Sequence, residues 1–460
     1  MKIPAVNKNV LLAVTMLTSF FNPFMSTSVN IALKQIGAEF SMSAVGLSWV
    51  SMIFLLSSAV FLVPFGKLAD IYGRRRIFLY GTIVFTAASL LCGLAFSEQS
   101  LILFRFIQGI GSAMVFSTSM AIVISEFPPK ERGKVIGLNV SAVYLGLTMA
   151  PVIGGIMTQY LGWRSLFYVN TVAGILITIG IITKIKSEWA EAKGELFEWQ
   201  GSLVYMVSIS SLMFGFSKLP EPFAIGLTIF GLAGFIVFVV IELKVEFPVL
   251  NISLFRDNRI FAFSNLAALI NYAATFAVTF MLSLYLQYVK GLQPRDAGIL
   301  LITQPAFMAI VASFSGRMSD RYDSRILASL GMSIIVVGLL FLCFLNVNSS
   351  NIYLISGLVV LGIGFGLFSS PNTNAVMSSV EKRYLGIASA TIGTMRLSGQ
   401  MISMAIAAMA IHVFIGDDTI AFDNFPQFMT SMRIVFIIFT ALCVLGVFAS
   451  LARGKKGVVN

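Results

Sequence analysis

This sequence predicts an all-α polytopic membrane protein of about fourteen spanning helices, in which a six-helix unit occurs twice. Three observations predict it: an extreme composition, a regular succession of long apolar runs, and a charged loop pattern that appears two times. Of 460 residues, 57% are hydrophobic and 11% charged, with a mean hydropathy of +0.91. Soluble domains carry about 25% charged residues. A soluble core of this size cannot enclose so much apolar side chain, so lipid must be the solvent for most of it.

A spanning helix needs about 20 mainly apolar residues. Runs of that kind fall at 10–33, 45–66, 77–96, 99–125, 135–157, 165–183, 200–218, 223–243, 260–289, 297–317, 326–346, 352–376, 386–412 and 431–452. They are too long, and lack the alternation, for barrel strands of about 10 residues.

The net charge of +11 is a topology signal and not a nucleic-acid footprint, because the basic residues sit in short loops and form no basic helix. Lys67, Arg74 to Arg76, Lys130, Arg132, Lys134, Lys184, Lys186, Arg317, Arg321, Arg325, Lys382, Arg383 and Arg453 crowd one set of alternate loops. The opposite ends hold Lys34, Arg164, Lys218, Lys290, Arg295 and Arg433. Cytoplasmic loops carry the excess of Lys and Arg, so both termini are expected in the cytoplasm of a cell-membrane protein.

The repeat lies in two loops of that basic side. After the second run the chain reads Gly66-Lys-Leu-Ala-Asp70-Ile-Tyr-Gly73-Arg74-Arg75-Arg76, and after the tenth Gly316-Arg-Met-Ser-Asp320-Arg321-Tyr-Asp-Ser-Arg325. Gly, Asp, Tyr and Arg recur at equal spacing. Transporters are commonly built from repeated halves, which predicts a six-helix half at 1–184, a two-helix insert at 185–255 and a second half at 256–460. Glycine permits close approach of helix ends, an acid suits a helix N-terminus, and the arginines suit an anionic leaflet.

Other chemistry is not indicated. Cys92, Cys343 and Cys443 are far apart in apolar runs, and His412 is the single histidine. That pattern supports neither a disulfide framework nor a metal site. Gly362, Gly364 and Gly366 lie inside an apolar span with no preceding strand, so they read as helix packing and not as a nucleotide loop. No Walker motif is present. A polytopic membrane enzyme, the remote alternative, would need a His, Asp or Glu cluster near one interface, and none appears. No cofactor is expected.

With these motifs in view, the chain resembles the fourteen-span drug:proton antiporter branch of the major facilitator superfamily. The first loop is similar to that superfamily's signature through Gly66, Leu68, Asp70, Gly73, Arg74 and Arg75. The fourth span is similar through Leu101, Arg105, Gln108, Gly109 and Gly111. The fifth resembles the antiporter motif through Gly146, Pro151, Gly154 and Gly155, with Ala150 in place of a glycine. Gly162-Trp163-Arg164, Asn170 and Tyr285 to Gln287 extend the likeness. The resemblance implies a conformational or coupling role for Asp70, Gly66, Gly73, Arg74, Arg105, Gly146, Pro151 and Asp320. It also implies a first-span aspartate where this chain has Met25.

Polar and aromatic residues at helical spacing mark the expected substrate pathway. They are Asn22, Ser26 and Asn30 in the first span, Gln108, Ser112 and Phe116 in the fourth, and Asn265, Tyr272 and Phe276 in the ninth. Arg396 in the thirteenth joins them, because an arginine within a span is expected to face a cavity or the bundle interior. All 20 acids fall in loops or at span ends. The function expected is secondary active transport by alternating access, with proton-coupled efflux of drug-like or amphipathic small molecules. The alternative is export of a specific metabolite or lipid-like anion, with Arg105 and Arg396 as counter-charges.

Overall fold

The computed structural model describes residues 8–246, 248–250, 252–319, 322–380, 385–416 and 418–454. Asp320, the expected repeat of Asp70, lies outside them. Contacts divide the chain into two compact units. One comprises residues 1–42, 46–216 and 220–251, and the other 43–45, 217–219 and 252–460.

The first unit carries α1 (Lys8–Phe40), α2 (Ala44–Tyr72), α3 (Arg74–Gly93), α4 (Glu98–Glu126), α5 (Pro129–Leu161), α6 (Arg164–Lys184), α7 (Trp199–Ser217) and α8 (Pro222–Glu242). The second carries the short α9 (Ser253–Asp257), then α10 (Arg259–Leu284), which runs on into a π-helical turn at Tyr285–Val289. There follow α11 (Pro294–Leu301), α12 (Thr303–Met318), α13 (Ser324–Cys343), α14 (Asn351–Ser378), α15 (Leu385–Phe414) and α16 (Phe425–Ala452).

Thirteen stretches of the described residues are long and apolar enough to cross a membrane, against the fourteen expected. The difference is α7. It is a 19-residue helix, but Gln200, Ser202, Ser208, Ser210, Ser211 and Ser217 dilute its apolar character. The run expected at 297–317 is also not one continuous helix. Pro305 offers no amide hydrogen and crowds the carbonyl four residues earlier, and the chain breaks between α11 and α12 at Ile302.

In lipid there is little hydrophobic drive between helices, so close packing through small residues must hold them together. Each unit solves this in the same way. In the first, a side chain added at Gly81 would come within 3.1 Å of the Gly111 carbonyl, and one at Gly111 within 2.9 Å of the Gly81 carbonyl, which joins α3 to α4. In the second, Gly331 and Gly364 stand in the same reciprocal relation at 2.7 and 2.8 Å and join α13 to α14. The flanking Gly362 and Gly366 seat α14 against Gln304 and Met308 of α12. The GxGxG run is therefore a two-sided packing ridge.

At the end of α16, Arg453 is buried and donates to the Ser450 carbonyl at 2.9 Å and to its hydroxyl at 2.6 Å. Burial pulls its guanidinium down to about 10, opposed in part by Asp323. Ser450 in turn accepts from Ser329, which ties α16 to α13.

Candidate functional site: charged loop and polar helix faces

The loop between α2 and α3 turns at Gly73, whose φ of 117° is rarely open to residues with a Cβ. Arg74 follows and gathers partners from three directions. Its Nε donates to Asp70 Oδ1 at 2.7 Å, and its Nη1 to Ser125 Oγ of α4 at 2.6 Å and to Glu191 Oε1 at 2.8 Å. Glu191 belongs to the segment between α6 and α7. That segment supplies two further acids: Glu195 pairs with Lys67 at 2.6 Å, and Glu188 lies 3.6 Å from Arg76. The Asp70 carbonyl accepts from the Ala192 amide at 3.0 Å. Arg75 Nε donates to the Ile185 carbonyl. The sequence marked Asp70, Gly73 and Arg74 but missed this acidic strap; the signal was the run of Glu188, Glu191 and Glu195. Gly66 has only ordinary contact, with Ser117 at 3.8 Å.

Arg105 is fully buried in α4. Its Nε donates to the Val50 carbonyl of α2 at 3.1 Å and its Nη1 to Gln108 Oε1 at 2.6 Å. The guanidinium lies over the Phe54 ring, 4.3 Å from its centre. Gln108 Nε2 donates to Ser89 Oγ of α3 at 2.7 Å, and Asn170 Nδ2 of α6 reaches the same hydroxyl at 3.1 Å. A charge with no acid partner among the described residues is thus spread over a carbonyl, an amide and a π-face, and the chain of bonds links α2, α4, α3 and α6.

Along α1 the expected stripe divides. Asn22 exchanges hydrogen bonds with Ser112 Oγ of α4, at 2.8 and 3.1 Å. Ser26 stays half-buried, whereas Asn30 is buried and accepts from Ser51 of α2 at 2.7 Å. Phe116 is half-buried. Asn22, Thr18, Thr82 and Asn170 border a cavity of about 20 Å³, enough for one water. Asn170 Oδ1 has no hydrogen-bond partner among the described residues. Met25 is fully buried.

The antiporter-like motif of α5 packs directly on α1. A side chain at Gly146 would meet the Phe20 carbonyl at 2.4 Å, and one at Gly154 would meet Ser28 at 2.9 Å. Ser28 Oγ donates to the Ala150 carbonyl at 3.3 Å, beside the buried Pro151. Trp163 Nε1 and Arg164 Nη1 both donate to Glu39 at the end of α1, at 2.8 and 2.6 Å. A wider groove of about 590 Å³ involves α7. Trp49, Ile53, Phe106, Ser211, Phe214 and Leu227 are among its lining residues, and it is broadly open at the surface.

In the second unit Tyr272 and Phe276 of α10 share a half-buried face. Tyr272 meets Phe365 of α14 edge-on at 5.6 Å, and its hydroxyl interacts with Ser369 and Arg396. Arg396 of α15 is half-buried, so it remains reachable, unlike Arg105. Asn265 faces inward and donates to the Phe261 carbonyl at 2.9 Å. Sequence reasoning passed over Asn271, which is fully buried with neither amide atom hydrogen-bonded among the described residues. A buried amide left open costs about 1–3 kcal/mol, and its position one residue from Tyr272 was the signal available.

The pattern of the Major Facilitator Superfamily matches residues 15–404 and again 264–456. The chain is 28% identical over 389 residues to the Riboflavin transporter RibZ of Clostridioides difficile (strain 630), covering 85% of each protein. It is 32% identical over 387 residues to the Multidrug resistance protein Stp of Mycobacterium tuberculosis (strain CDC 1551 / Oshkosh), covering 82% of this chain and 71% of that one. A crystal structure of a bacterial homologue of the human lysosomal transporter Spinster superposes with a TM-score of 0.65 at 18% identity, over 97% of this chain and 96% of that chain. The two-unit helical fold, the charged loop with Asp70 and Arg74, and these likenesses agree: the chain is a multi-pass membrane transporter and belongs to the Major Facilitator Superfamily, within its multidrug-efflux-like branch.

Proposed function

We propose that this transporter exports drug-like or amphipathic small molecules from the cytoplasm in exchange for protons, with both termini cytoplasmic. The observation that carries the reading is the glycine-mediated contact of α5 on α1. Gly146 and Gly154 bring the two backbones together around Phe20 and Ser28, in the motif that resembles antiporters. The likeness to a multidrug resistance protein supports the same direction. Asp70 and Arg74 would act as the conformational pair of the moving units, and Arg105, with Gln108 and Ser112, as the polar core behind the pathway.

A second reading has its own observation. Arg396, Tyr272, Ser369 and Phe365 put a cation, hydroxyls and an aromatic ring together, a combination suited to one aromatic or anionic metabolite, and one relative is a riboflavin transporter. Uptake by everted vesicles of lipophilic cations, neutral amphiphiles, anions and a flavin supplied in the medium, with and without a proton gradient, separates the two. Gradient-dependent movement of several cations and neutrals supports drug export. Movement of the flavin or anions alone overturns it in favour of the second reading.

A further inference from the structure

Glu242, the last residue of α8, is only 3% exposed. Its Oε2 accepts the Leu250 amide at 2.8 Å, while its Oε1 is buried with no hydrogen-bond partner among the described residues. Glu198 faces the same space. Its carboxylate caps the start of α7, accepting the amides of Gly201 at 2.7 Å and Ser202 at 3.2 Å. The two acids converge on Gly201: a side chain there would begin 2.4 Å from Glu198 Oε2 and 2.8 Å from Glu242 Oε1. The glycine keeps open the gap that the carboxyl groups share. Ser202, the next residue, is buried and its hydroxyl likewise has no partner among the described residues.

Two ionised carboxylates at such range, one of them buried, repel each other and lack water to offset the charge. One proton held between like acids removes both problems. The nearby cation is Lys67 of α2, which also acts on Glu242, but its ammonium is held by Glu195 at 2.6 Å, so its charge is divided among three acids. We infer that Glu198 and Glu242 together bind a single proton, taken from solvent onto Glu242 Oε1 and shared toward the Glu198 carboxylate, at the junction of α7 and α8. The bare Oε1 then becomes a hydroxyl that faces the gap at Gly201 shared with the Glu198 carboxylate. The site lies in the inserted pair of helices, away from Met25. As the proton carrier of exchange, a role that rests on the proposed export reading, it would link to the charged loop through Lys67 and Glu195.

The test is an infrared titration of the purified full chain in lipid, reading the absorption of protonated carboxyl groups against pH. The wild type is expected to show a band that persists well above the range of free glutamate, near pH 4.3 for the model side chain. Glu242→Gln removes that band, and Glu198→Gln displaces the pH at which it is lost, because the facing charge is gone. A wild-type band independent of Glu242, or a titration that Glu198→Gln leaves in place, overturns the shared-proton site. The isosteric Glu198→Gln keeps Glu242 itself, so a folding defect of Glu242→Gln does not mask the answer. The spectrum reads the site whether or not any compound is exported, so failure of the site and failure of the export reading are told apart.

Discussion

Arg74 and Glu191 form a 2.8 Å ion pair that fastens the segment after α6 to the loop between α2 and α3. Glu191 is largely exposed while Arg74 is nearly buried, and the same guanidinium holds Asp70 and Ser125. The exposed member of such a set contributes little by itself, about 0.2–1 kcal/mol. Asp70 and Ser125 lie in helices of the unit itself. Asp70→Asn is therefore expected to abolish most transport with near-normal membrane insertion, whereas Glu191→Gln keeps most activity. Transport rates normalised to protein in the membrane check this, and full activity of Asp70→Asn would remove the proposed role.

Gly146→Ala places a methyl group against the Phe20 carbonyl, at 2.4 Å before any relaxation. Overpacking of this kind costs about 1–3 kcal/mol. A lower melting temperature in detergent and reduced export are expected. Gly137→Ala, on the same helix with no atom of the described residues within 4 Å of its new Cβ, is expected to be neutral or slightly stabilising through helix propensity. Equal behaviour of the two variants would count against the close α1–α5 contact.

Arg105→Ala leaves the Val50 carbonyl and Gln108 Oε1 without the donor each now has, at about 1–3 kcal/mol for each group that finds no other. Transport of every substrate class is expected to be lost. Arg105→Lys is not expected to rescue it, since a single ammonium cannot reproduce the planar fork over Phe54. Substrate-selective loss in either variant would instead place Arg105 in contact with cargo.

Arg396 is half-buried and shares Tyr272 with Ser369. Arg396→Ala is expected to impair anionic substrates most. Comparing uptake of anions, neutrals and cations into everted vesicles decides the matter. A uniform loss would make Arg396 a structural tie between α15 and α10.

Met25 is fully enclosed, and a carboxylate there would be buried without water, which is unfavourable unless it is paired. Met25→Asp is expected to melt at a lower temperature than wild type, and a lipophilic cation is expected to restore the difference by pairing with it. Thermal denaturation with and without a cationic dye measures this. Equal stabilisation of wild type and variant by the dye would place position 25 away from the cation path.

Apolar runs and basic loops are properties of local composition, so the helical class and the family likeness were legible from the residues alone. Gly81 with Gly111 and Gly331 with Gly364 could be read as small residues, but not as reciprocal partners, because pairing depends on which helix lies beside which. The polarity of Arg105 and Gln108 was equally plain. Their enclosure by Val50, Phe54 and Ser89 was not, since those residues are distant in the chain and meet only after packing. Glu188, Glu191 and Glu195 looked like a solvated linker, and Glu198 and Glu242 like acids at helix ends. Tertiary structure folded the first three over the loop of Arg74 and turned the last two toward each other around Gly201. Sequence spacing determines which face of a helix a side chain occupies, but the partner that satisfies its charge is supplied by the neighbouring helix.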